Sequence, residues 1–94
     1  MKAGDNVKRD KDLMRKILFA IEEQHEAGAG SIYNLQIKGF SMAVIAEHCD
    51  LLHQAGLVYS YDSEITLGRL CGFGVGKLTN SGHDYLDSAR SGDE

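Results

Sequence analysis

The stretch RLCGFGVGKLTNSG, Arg69 to Gly82, constrains the fold more than any other part of the chain. It places four glycines in eleven residues, with Lys77 directly after one of them and Thr79 close behind. Such density has two physical readings. One is a loop whose backbone N–H groups cradle phosphate. The other is a strand that must bend, or that another part of the chain approaches closely.

The phosphate reading fails on spacing. A P-loop requires G-x-x-x-x-G-K-[ST] between a strand and a helix. With Gly76-Lys77 as the G-K pair, the first glycine falls on Cys71 and the final hydroxyl residue falls on Leu78. Leu78 has no hydroxyl to hold Mg²⁺. The dinucleotide pattern G-x-G-x-x-G fails too, because its third glycine falls on Lys77 or Thr79. The stretch therefore reads as a strand carrying Phe73 and Val75 among lighter glycine partners. It returns from a preceding strand to form a β-hairpin ahead of a capped helix.

The rest of the chain supports one small domain. Ninety-four residues provide a single hydrophobic core and no room for a second domain. Asp10 is a good N-cap, and Leu13, Met14, Ile17, Leu18 and Ile21 form one apolar stripe on a helix running to about Gln24. Glycines at 28 and 30 end it. Tyr33, Leu35 and Ile37 alternate with polar residues as a short half-buried strand. Ser41, with Phe40 before it, caps a second helix from Met42 to about Ala55, whose stripe is Ile45, Cys49 and Leu52, with Met42 and Ala46 alongside. Gly56 sits where a C′ glycine belongs. Leu57 to Tyr61 reads as a strand followed by a polar tip. Thr79 or Ser81 caps a last helix bearing Tyr85, Leu86 and Ala89. The expected order is helix, strand, helix, strand, strand, helix, an α+β domain over residues 9–90. Residues 1–8 read as a flexible arm and 91–94 as a disordered tail.

Two segments within this order resemble winged-helix domains. IAEHCDLLHQAGLV, Ile45 to Val58, is similar to their helix-to-strand junction. KLTNSGHDYLDSAR, Lys77 to Arg90, is similar to the L-T-x-x-G-x-x-[YF]-L pattern that follows the wing. Together with KRDKDLMRKIL (Lys8 to Leu18) and IKGFS, they also resemble a family of small bacterial and phage proteins that constitutes a domain of unknown function. The resemblance covers about residues 8–90. It implies a small winged-helix-like fold and supplies no catalytic residues. The chain departs from the usual winged helix between the first two strands. Residues 38–56 hold one helix, or a short turn and a helix, so the helix-turn-helix is truncated.

Charge divides the chain and separates the functional readings. Residues 1–16 hold six Lys/Arg against three acids, whereas residues 39–68 hold four acids and no Lys or Arg. DNA binding runs on positive charge. The second helix offers Glu47, His48, Asp50, His53 and Gln54 to a phosphate lattice, an unfavourable set. A DNA-binding mode would instead use the arm, the first helix and the wing, with Lys8, Arg9, Lys11, Arg15, Arg69 and Lys77 as its contacts; Lys16 belongs to the same basic group. The competing explanation is a solvated helix end with pairs such as Asp12–Lys16 at i, i+4. A protein-interaction module would use apolar hairpin residues, Tyr59, Tyr61, Leu67, Leu70 and Phe73. A homodimer would form if Tyr85, Leu86 and Ala89 of the last helix line a seam with a second copy. Strand alternation would turn half of the hairpin set into the domain's own core.

Catalytic and metal readings are weaker. Cys49 and His53 lie i, i+4, and Cys71 and His83 could join them, but no C-x-x-C pair is present. Ser81, His83 and Asp84 or Asp87 are better explained as a cap with acids in the early turns of the helix. No enzyme activity, metal or cofactor is expected. The N-terminus MKAGDNVKRDKD has no apolar signal region, and no apolar run approaches a membrane span, so a soluble cytoplasmic protein is expected. The expected function is a small non-enzymatic accessory or regulatory protein contacting DNA through its arm and wing. The alternative is a protein-interaction subunit or adaptor, for instance in a phage or phage-defence setting.

Overall fold

The computed structural model describes residues 10–26 and 30–90. The expected arm, including Lys8, and Arg9 after it, and the tail at 91–94 lie outside the described residues. The elements follow the expected order: α1 (Lys11–Glu26), β1 (Ile32–Tyr33), α2 (Met42–Gln54), β2 (Tyr61–Thr66), β3 (Arg69–Val75) and α3 (Asn80–Arg90). The protein is an α+β domain of three helices and a three-stranded antiparallel sheet, ordered β1-β3-β2.

The first helix forms as its stripe dictates. Asp10 caps it, with the Leu13 N–H donating to Asp10 Oδ1 at 3.1 Å. Leu13, Met14, Ile17, Leu18 and Ile21 are all buried. They meet Ile45, Ala46, Cys49 and Leu52 of α2, Leu86 of α3, and Ile32, Phe73 and Val75 of the sheet in one core. Each fully buried aliphatic side chain of this kind contributes roughly 2 kcal/mol.

The first strand differs from expectation. It spans only Ile32–Tyr33, and the buried residues of this segment are Ile32 and Leu35, whereas Tyr33 is exposed. The cause is Asn34, whose φ of 53° turns the backbone into the left-handed region and breaks the alternation. Asn34 still pairs with β3. Its N–H donates to Phe73 O (2.8 Å), and its side-chain Oδ1 accepts from the Phe73 N–H (3.0 Å). The amide oxygen takes the place of a strand carbonyl.

Between β1 and α2 the chain makes one turn at Lys38-Gly39, with Gly39 at φ 91°. Thus a turn and a single helix occupy the segment, as the available length requires. Ser41 caps α2 by accepting from the Val44 N–H (3.3 Å), and Phe40 packs against the core. Ala55 closes the helix and Gly56, at φ 78°, leads out.

The hairpin also differs from the sequence reading. Of the expected strand at Leu57–Tyr61, Tyr61 opens β2 and Val58 makes an isolated bridge to Leu78. The segment expected as a polar tip, Asp62 to Thr66, is strand β2 itself. Sequence periodicity misses it because β2 is solvent-exposed almost throughout, so no apolar alternation marks it. The actual tip is Leu67-Gly68, with φ of 53° and 75°. Two positive φ values in a two-residue connection are the type I′ pattern that matches strand twist. A register shift after Glu64 pairs Ile65 with Leu70 and leaves Cys71 as the extra residue.

Candidate functional site

The glycine row of β3 serves close packing. Phe73 and Val75 point into the core, so Gly72, Gly74 and Gly76 line the opposite face. A Cβ on Gly72 would stand 2.9 Å from Asn34 Oδ1, and one on Gly74 would stand 2.9 Å from the Tyr33 ring. One on Gly76 would collide with Ser60 Oγ. The glycines make room for the Asn34, Tyr33 and Ser60 side chains to fold across β3 and the residue after it.

The LTNSG segment is structural as well. Leu78 is buried in the core. Thr79, rather than Ser81, is the N-cap of α3, its Oγ1 accepting from the Gly82 N–H (3.0 Å) and donating to Gly56 O (2.6 Å). The Thr79 N–H donates to Leu57 O (3.0 Å). Gly82 faces that same Leu57 carbonyl so closely that a Cβ would strike it. These residues join the end of α2 to the start of α3.

The described basic candidates lie on α1, at the hairpin tip and just after β3. Lys11 is exposed on the first turn of α1. Arg15 is half-buried and pairs with Asp12, where Asp12–Lys16 was expected. Lys16 instead lies over the Phe40 ring, 5.7 Å from its centroid, and Lys77 lies over Tyr59 at 5.8 Å. Arg69 is exposed beside the hairpin tip. Six residue steps separate Arg69 from Val75, about 20 Å of strand. Asp62 and Glu64 are exposed on the partner strand along that length.

The apolar candidates divide. Phe73 and Leu86 are core side chains, so neither can supply an interaction surface. Tyr61, Tyr85 and Leu70 are half-buried against that core, and Ala89 is half-buried. Of the seam expected on α3, Leu86 is taken up by the domain's own core, while Tyr85 and Ala89 are half-buried. Tyr61 lies 6.4 Å from Phe73, ring to ring, and burial pushes its phenol above the usual range. Tyr59 and Leu67 are open to solvent, Leu67 at 96% exposure, and Ile65 beside the tip is 58% exposed. Sequence reasoning missed Ile65 because it placed that residue in a polar tip.

The residues considered for chemistry are not assembled. Cys49 is buried and its thiol is pushed up to about 12 by that burial, whereas Cys71 is exposed. Among the described residues no three His, Cys, Asp or Glu side chains stand close enough to hold a metal ion. His83 faces Glu22 (3.8 Å), which also receives Arg90. Glu22 and His83 border a cavity of about 210 Å³ together with His25, Lys77 and Leu78. Of the α2 residues that the sequence reading set before a phosphate lattice as an unfavourable face, His48 is buried at 1% exposure and belongs to the interior. A cavity of about 580 Å³ lies between the 34–40 segment and the start of α2. No helix among the described residues is long and apolar enough to cross a membrane.

Comparison with known proteins agrees with the whole-chain resemblance. A protein of Haemophilus influenzae (strain ATCC 51907 / DSM 11121 / KW20 / Rd), described as "Uncharacterized protein", is 38% identical over 90 residues, covering 90% of this chain and 70% of the relative. No solved structure matches. The family model described as "Hypothetical protein (DUF2513)" matches residues 8–93. The chain belongs to the DUF2513 family.

Proposed function

We propose that this protein is a small binding module, built on a winged-helix-like domain, that docks a partner protein through its β2–β3 hairpin. The observation that carries this reading is Leu67. A leucine at φ 53° occupies a position where Asn, Asp or Gly is cheaper by about 1 kcal/mol. The same side chain is 96% exposed, so neither backbone geometry nor burial within the domain accounts for it. An apolar side chain held at the end of a rigid ribbon, with Ile65 beside it, is suited to a pocket on another protein.

A second reading is favoured by Arg69, two residues beyond Leu67. An apolar wedge with an adjacent arginine also suits a DNA minor groove. Asp62 and Glu64 on the same hairpin oppose that mode by repelling phosphate. We therefore place the protein partner first and DNA contact through arm and wing second. The setting, bacterial accessory factor or phage-related adaptor, follows the partner. The test is native capture of tagged protein from its host, with and without nuclease, across a salt series. The proposal expects a protein partner that survives nuclease and moderate salt. Nucleic acid that co-purifies and leaves steeply with salt supports the second reading instead.

A further inference from the structure

The outer face of the sheet carries a groove with its own chemistry. Tyr33 and Asp62 are both paired with Gly74, and Glu64 is paired with Gly72. Cross-strand partners share a face, so the Tyr33 ring and two carboxylates stand on one face of the sheet, with the ring lying over Gly74 and the Asn34 amide over Gly72. The groove holds about 160 Å³, with the Asn34 amide closing one side. Tyr33 and Asp62 belong to strands on either side of β3, roughly 10 Å apart by strand spacing. Tyr33 is 75% exposed, and its ring lies against Gly74. Among the described residues neither Asp62 nor Glu64 has an ion-pair partner, and residues 39–68 contain no Lys or Arg to supply one.

We infer that this groove receives an arginine side chain from an extended segment of the partner protein. A guanidinium is planar and weakly hydrated. It can stack on the Tyr33 ring while its N–H groups meet Asp62 or Glu64 in bidentate geometry. The bare backbone at Gly74 lets the Tyr33 ring lie down on the strand, and the guanidinium stacks on the ring's outer, solvent-facing side. Two like charges two residues apart on one strand face repel until a cation arrives. The inference rests on the protein-partner reading and specifies the chemistry of that partner. It is separable from that reading because the groove and the tip use different residues.

The test is a ¹⁵N NMR titration with acetyl-(Gly-Arg)₃-amide, using the citrulline and lysine counterparts as controls. Saturable shifts at the amides of Asn34, Gly72 and Gly74 are expected, with affinity at least about tenfold weaker for citrulline and measurably weaker for lysine. Asp62→Asn with Glu64→Gln, both exposed positions, should weaken arginine-peptide binding about tenfold or more without lowering the melting temperature. Leu67→Asn should leave peptide binding unchanged. No localised shift at millimolar arginine peptide, or equal binding of the citrulline peptide, overturns the inference. Equal binding of the lysine peptide overturns the stacking on Tyr33. Groove failure alongside Leu67-dependent partner capture removes only this inference, whereas loss of both removes the protein-partner reading as well.

Discussion

The backbone N–H of Asp10, at the mouth of the first helix, donates to Nε2 of His48 in the middle of the second, at 3.0 Å across 38 residues of sequence. Nε2 must then be unprotonated. The proton sits on Nδ1, which donates to Val44 O at 2.9 Å. One imidazole thus satisfies a helix-start N–H and a helix carbonyl inside a nearly sealed position. His48→Ala removes both partners and leaves a cavity. A loss of about 2–3 kcal/mol in urea unfolding is expected. Imidazole ¹⁵N shifts at neutral pH should report the Nδ1–H tautomer.

Gly82 provides a test in which the sign itself is informative. An ordinary helix glycine replaced by alanine gains about 1 kcal/mol. Here the added methyl meets the Leu57 carbonyl and comes within 3.3 Å of Leu78 Cβ. Gly82→Ala should therefore destabilise by about 2 kcal/mol or more, read as a lowered denaturation midpoint.

Asn34 combines a left-handed backbone with an acceptor for the Phe73 N–H. Asn34→Ala loses the acceptor and tolerates the conformation poorly, at a cost of about 1–3 kcal/mol. Asn34→Asp keeps an oxygen in place and should retain most of the stability. Equal losses for the two variants would contradict the role given to Oδ1.

Cys49 sets an alkaline limit. Its native thiol is raised by burial from 9.0 to about 12, so the folded state favours the protonated form. The associated stability is complete below pH 9 and is lost as pH rises, because the unfolded thiol ionises first. Between those values it falls by about 1.4 kcal/mol per pH unit. The stability difference between wild type and Cys49→Ala should shrink on that slope. In the native protein iodoacetamide should label Cys71 and spare Cys49.

Legibility in the sequence followed the physics of each element. The first helix was readable from Asp10 and a stripe from Leu13 to Ile21, because a buried helix face imposes its period on the residues. The capping of α2 by Ser41 and its exit through Gly56 were readable for the same local reasons. Strand β2 was not, because a ribbon exposed on both faces carries no apolar alternation. The short β1 was hidden by Asn34, where one left-handed residue reverses which side chains face the core. Asparagine is the residue most able to do this after glycine, and that was the available signal. His48 was misplaced because a histidine among acids on a helix reads as surface until a distant N–H is found to need it. Phe73 was recognisable as a strand residue but not as core, since alternation alone leaves open which face is buried.

Leu67 carries the functional account, and Leu67→Asn is its most direct test. Asparagine suits the type I′ tip, so folding should be preserved or improved, with an equal or higher melting temperature. Wild type and variant are used side by side to capture partners from nuclease-treated host lysate, and the bound protein is then titrated against each. The account predicts a defined protein partner whose affinity falls about tenfold or more with the variant, a loss of roughly 1.4 kcal/mol for one well-seated leucine. A partner bound equally by both forms, or a bound fraction that is only nucleic acid, would contradict it.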